Sequence, residues 1–241
     1  MNTKIIFWPK STKNKNEIVK EVDFAYKLVF SFFKQEISEI DINIVNSRKE
    51  FDLFNNRKTE DWEVGYTFFK DNKVKIVIFN PESIEKYSIH KKEEFISILI
   101  HELTHVFTGY ILKFFYPKWL HEGLAGYVAK QYKNKTIKNE NIINLSELHT
   151  LDGWDKNNKY VESYLFTKFL FDKFGKEKMM KFMTNLSLRI EYCDFQFSFK
   201  NQFKVDLENL FNNWKKNKKK EAILNNPYGS LKYCPFGLYK R

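Results

Sequence analysis

The stretch His101-Glu102-Leu103-Thr104-His105 carries the most concentrated chemistry in the chain. On a helix its two histidines lie one turn apart, about 6 Å along the axis and about 40° around it, so both imidazoles can reach one ion. Zinc favours neutral nitrogen donors in a tetrahedral arrangement, and a hydrolytic site holds it by three protein ligands with the fourth position left to water. The third ligand is expected to be Glu122, in Trp119-Leu120-His121-Glu122-Gly123-Leu124-Ala125-Gly126-Tyr127. It opens a new helix after a turn long enough to bring that helix back across the first, and Gly123 and Ala125 permit close packing there. Glu102 lies beside the ligating face and cannot easily share the ion with both histidines. Its carboxylate is therefore free to act as general base toward metal-activated water.

The elements that must position these residues are legible as hydrophobic periods. From Glu93 to Thr108 the period is helical, with Phe95, Leu99, Leu103 and Val106 on or near one stripe and Gly109 expected as the C-cap. A second helix is predicted from about Glu122 to Tyr132. Upstream, Lys4 to Trp8 is a β-type run, and Ile18, Val22, Ala25, Val29 and Phe32 recur at helical spacing. Asp41 to Val45 alternates as a strand, and Gly65 to Phe69 with Lys75 to Phe79 reads as a hairpin, one arm of which forms an exposed sheet edge. Downstream, Tyr160 to Phe174 is a predicted helix stopped by Gly175, followed by helices over Lys176 to Leu186 and Leu207 to Lys216. No repeat, Ser/Pro linker or long low-complexity tract divides the chain, which predicts one α+β domain over residues 1–220. Its sheet lies in residues 1–90, its metal-site helices in 91–132 and a helical part in 142–220. Pro227, Gly229, Pro235 and Gly237 mark residues 221–241 as an irregular tail.

Bulk properties narrow the function classes. The formal charge is +11, but Lys, Asn, Ile, Phe and Tyr are enriched along the whole chain. The one dense cluster, Lys215 to Lys220, reads as a solvated helix end, so nucleic acid is not an expected partner. Cys193 and Cys234 lie far apart without a CxxC or Cys/His pattern and read as ordinary thiols of a reducing compartment. The apolar run Ile5 to Trp8 is too short for a signal-peptide core or a membrane span. A cytoplasmic monomer is expected.

HELTHVF followed by WLHEGLAGYVA resembles the gluzincin clan of metallopeptidases, and more narrowly the peptidase-MA-like domains of thermolysin-related proteins. The resemblance covers roughly residues 65–216. It implies a zincin-like fold with one zinc ion held by His101, His105 and Glu122, Glu102 as base and proton shuttle, and a peptide or protein substrate. Such enzymes also use a Tyr or His from the C-terminal helical part to stabilise the tetrahedral oxyanion, which points to Tyr160 and Tyr164, the former matching the pattern better. Two departures stand out. Sixteen residues separate His105 from Glu122, slightly fewer than in thermolysin, and Gly126 stands where thermolysin-like enzymes often place an acidic residue, so the hydrogen-bond partner of a ligating histidine is unassigned. Among the other histidines, His121 points about 100° away from its neighbour Glu122, and His90 and His149 read as surface residues. Trp119 is expected to pack under the turn. An extended substrate can pair with the edge strand between Gly65 and Phe79. The competing readings are an inactive zincin-fold binding module that uses its basic surface, and a zinc hydrolase of non-peptide amides.

Overall fold

The computed structural model describes residues 2–8, 13–37, 39–70, 73–112, 117–133, 144–146, 148, 159–186 and 192–224. The N-terminal part builds a mixed four-stranded sheet, from β1 (Asn2–Trp8), β2 (Glu39–Val45), β3 (Gly65–Lys70) and β4 (Lys73–Phe79), in the order β1-β2-β4-β3. β1 and β4 flank β2 in parallel, and β3 runs antiparallel to β4 as the expected hairpin. This makes β3 an edge of the sheet. β2 does not show the alternation its sequence predicted: Ile40 to Val45 are all buried, because a central strand in a sheet covered on both faces has no solvent side.

Helices supply that cover. α1 (Lys15–Phe33) and α4 (Phe95–Phe107) pack on each other, and α4 also packs on β3 and β4. α2 (Arg48–Asn55) packs on β4, where the Phe51 and Phe79 rings stack 4.9 Å apart. Thr67 pairs with Ile76 and Gly65 with Ile78 in the hairpin register; since side chains alternate faces along a strand, these residues face α4 while Phe79 faces α2. α2 and the short α3 (Pro81–Tyr87) start at side-chain caps: Ser47 accepts from the Glu50 amide at 3.3 Å and Asn80 from the Glu82 amide at 3.0 Å.

α4 is preceded by a 3-10 turn, Lys92–Glu94, and continues as a π-type segment, Thr108–Leu112. Gly109 is thus not the expected C-cap. It lies inside the π segment, where the tip of the Phe69 side chain from β3 occupies the space a Cβ would take, 2.3 Å from Phe69 Cζ.

The remaining elements are helical: α5 (Lys118–Ala129), α6 (Lys159–Phe174), α7 (Lys176–Thr184), α8 (Tyr192–Phe203) and α9 (Leu207–Leu224). Trp119, at the start of α5, is fully buried, with Phe166 of α6 5.1 Å and Phe195 of α8 5.9 Å from its ring. Its amide donates to the Leu148 carbonyl at 3.1 Å. α9 runs past Lys216 and carries residues 221–224, which composition had assigned to the irregular tail; the rest of that stretch lies outside the described residues, as do His149 and Cys234. Among the described residues no helix is long and apolar enough to cross a membrane.

Candidate metal centre

α4 brings His101 and His105 to one side of the helix, and α5, crossing it, delivers Glu122 from 21 residues away. The three donor atoms form a compact triangle. His101 Nε2 lies 3.0 Å from His105 Nε2 and 3.2 Å from Glu122 Oε2, and His105 Nε2 lies 3.5 Å from that same oxygen. With metal–ligand bonds of about 2.0–2.1 Å, two corners of a tetrahedron lie about 3.3 Å apart, so the observed edges bracket the spacing a zinc ion requires. Glu122 is buried, the two histidines are mostly so, and the donor chemistry, two imidazoles and a carboxylate, suits that ion. These residues fit one divalent cation.

Why α5 can come so close is set by Gly123. A Cβ there would lie 2.2 Å from Thr167 Oγ1 and 2.4 Å from the Ser163 carbonyl oxygen of α6. α6 therefore supports α5 at the residue next to Glu122, backbone against backbone.

The electrostatics follow from burial and from what each group faces. Burial alone would raise the Glu122 carboxyl, but the Lys118 ammonium and the His105 and His101 rings hold it well below the usual carboxylate range. Lys118, one helical turn earlier, is bonded to Oε1, which leaves Oε2 directed at the imidazoles. Burial, with His121 next to it, pushes the His105 ring down to about 3. His101 goes the other way: burial lowers it, yet its bond to Glu122 and the field of that carboxylate carry it above the ordinary histidine value. Of the two imidazoles, His101 is thus the one that keeps a proton to higher pH, its Nε2 lying within hydrogen-bond distance of Glu122 Oε2 and His105 Nε2.

Glu102 projects away from the triangle toward β3. Thr67 Oγ1 donates to its Oε2 at 2.7 Å, and Gly65 leaves room for the side chain, since a Cβ there would come within 2.8 Å of Glu102 Cγ and Oε1. Burial raises this carboxyl, outweighing His101 and the Thr67 hydroxyl, both of which favour its charged form.

All four residues open onto a cavity of about 630 Å³ bordered by β3 on one side and α5 on another. Tyr160 lines it. Tyr164 does not: it is buried, with its ring 5.8 Å from that of Tyr132, which does line the cavity. His121 stands outside the donor triangle, as its angular position predicts, but it too lines the cavity and stacks on His105 with ring centres 4.2 Å apart. His90, read as a surface residue, bonds the Trp62 carbonyl and Glu94 and forms part of the cavity rim.

A family model described as the peptidase MA superfamily matches residues 35–220, from just before β2 into α9. The chain belongs to the peptidase MA superfamily. No curated protein and no solved structure matches it. The mixed sheet followed by helices is compatible with a zincin-like fold, and the match makes this a metallopeptidase-like domain in which His101, His105 and Glu122 can hold a metal ion.

Three residues of this peptidase MA site escaped the sequence reading. Gln131 accepts a 2.8 Å hydrogen bond from His101 Nδ1, filling the role left open by Gly126. Thr67 and Gly65 seat Glu102. Gly65 and Thr67 lie 37 and 35 residues before Glu102, and Gln131, although only two residues past the second motif, reaches back 30 residues to His101.

Proposed function

We propose that the chain is a zinc-dependent metallopeptidase that hydrolyses peptide bonds with Glu102 as general base. The observation that carries this reading is the meeting of His101 Nε2, His105 Nε2 and Glu122 Oε2 within 3.0–3.5 Å, beside a buried carboxylate that belongs to none of the three. Zinc bound there supplies a Lewis acid that acidifies water and polarises a carbonyl. Glu102 takes a proton from the attacking water and passes it to the nitrogen of the leaving amine as the carbon–nitrogen bond breaks. A carboxyl raised toward neutrality by burial suits both halves of that transfer. Thr67 holds it in place meanwhile.

Of the two tyrosines, Tyr160 is the one positioned to donate a hydrogen bond to the oxyanion, because its side chain borders the cavity. An extended substrate runs along β3, which is bonded to β4 on one side and contributes Gly65, Tyr66, Thr67 and Phe69 to the cavity.

Metal analysis of the wild type and Glu102→Gln, combined with a peptide-library cleavage assay, tests the proposal. One zinc per chain in both proteins, with cleavage only by the wild type, is the expected result. An inert binding module predicts no cleavage by either, and a hydrolase of non-peptide amides predicts zinc in both with the library untouched.

A further inference from the structure

We infer that Gln131 is a positioning residue for the metal site, its side-chain carbonyl fixing the His101 ring with Nδ1 protonated and Nε2 turned toward His105 and Glu122. An imidazole can offer a cation only the nitrogen that carries no proton, so whatever bonds the other nitrogen chooses the tautomer and the ring angle. Here that bond is short, 2.8 Å from His101 Nδ1 to Gln131 Oε1.

Gln131 is itself held from two directions. α5 ends at Lys130 in the left-handed region, with φ 55°, and this reversal lets the Gln131 amide donate back to the Gly126 carbonyl at 3.2 Å. Its side-chain nitrogen reaches the Ser97 carbonyl on α4, one turn before His101, at 3.5 Å. With backbone and amide nitrogen so placed, the oxygen is left to face the ring. His105 is oriented differently: its Nδ1 is buried without a hydrogen-bond partner among the described residues, and its ring lies against His121. The outside control of ring orientation therefore falls on His101. A neutral amide performs it without adding a third carboxylate beside Glu102 and Glu122, and it raises ligand basicity less than a carboxylate would.

The inference rests on the metal-site reading above. The test uses the full chain stripped of metal, titrated with zinc against a chromophoric chelator, with thermal unfolding of the metal-free protein measured alongside. Gln131→Met keeps the shape and removes the acceptor; it is expected to fold and to lose zinc affinity by about 10- to 100-fold. Gln131→Glu keeps the acceptor and removes the donor to Ser97; it is expected to bind zinc at least as tightly as the wild type. Wild-type affinity in Gln131→Met overturns the inference. So does a loss of about tenfold or more in Gln131→Glu, which would assign the residue to the Ser97 tether, and this second variant decides the matter against the wild type even where Gln131→Met fails to fold. A wild type that binds no zinc removes the metal site itself and this inference with it.

Discussion

Gly123→Ala adds a single methyl group at the point where the ligand helix leans on α6. The added Cβ would meet the Ser163 carbonyl oxygen at 2.4 Å and Thr167 Oγ1 at 2.2 Å. Thr167 can rotate, but the Ser163 oxygen is backbone inside α6. Restoring an ordinary contact of about 3.5 Å therefore requires the helices to part by about 1 Å. Overpacking of this kind costs about 1–3 kcal/mol, while alanine recovers about 1 kcal/mol of helix propensity. With the clash falling on backbone, the upper part of the range applies, for a net loss of about 2 kcal/mol. In a chain of this size that lowers Tm by about 4–8 °C. The effect on metal should be larger in proportion. Glu122 adjoins the substitution, and a shift of about 1 Å is a third of an edge in a triangle whose sides are 3.0–3.5 Å, so zinc affinity should fall by more than about tenfold. Gly126→Ala is the control: its Cβ would meet the Tyr132 ring at 3.3 Å and Tyr164 Cβ at 3.7 Å, with no backbone that close, and its Tm should stay within about 2 °C of the wild type. Thermal unfolding monitored by circular dichroism and zinc competition titration read both quantities. A Gly123→Ala protein that melts with the wild type and binds zinc as tightly would refute the claim that α6 fixes the position of Glu122.

Two further predictions separate the parts of the site. Gly65→Ala places a Cβ 2.8 Å from Glu102 Cγ and Oε1, so it should leave zinc affinity and Tm near wild type while lowering kcat by up to about 100-fold, the cost of misplacing a reacting group by about 1 Å; unchanged kcat would show that Glu102 has room to spare. Zinc binding should release a proton at pH 6.5 and below, because His101 is raised above the ordinary histidine value whereas His105, lowered to about 3, is already neutral there. The sign follows: apparent zinc affinity climbs about tenfold per pH unit below the His101 pKa and levels off above it. Calorimetry in buffers of differing ionisation enthalpy measures the release, and none at pH 6.5 would contradict the raised His101.

The donor grouping was legible where it is local. His101 and His105 are one turn apart on any helix, and a zinc-type donor set needed a third residue that the chain could supply as Glu122. The hairpin and the helical stripe of α4 followed from period alone. Short elements were lost: α2 and α3 span only 8 and 7 residues, too few for a hydrophobic period, although Ser47 three residues before Glu50 and Asn80 before Pro81 marked their starts. α8, with Phe195 and Phe199 buried one turn apart, was hidden by the high Phe content of the whole chain. β2 alternates in sequence, yet which strands flank it is a property of topology.

What the sequence could not reveal is how the site is held. Apart from Lys118, one turn before Glu122, the supporting contacts join residues far apart in the chain: Thr67 to Glu102, Gln131 to His101, Gly123 to Ser163. The last of these shows why. α6 contributes no metal ligand, but the depth to which α5 can settle on it determines whether a carboxylate on α5 reaches imidazoles on α4. The type of residue at position 123 is thus dictated by a helix that follows it by some 40 residues, and no window of sequence around the motif contains that partner. A metal motif fixes donor types and the spacing within one helix; the convergence of two helices is a packing result, set here by the absence of a side chain.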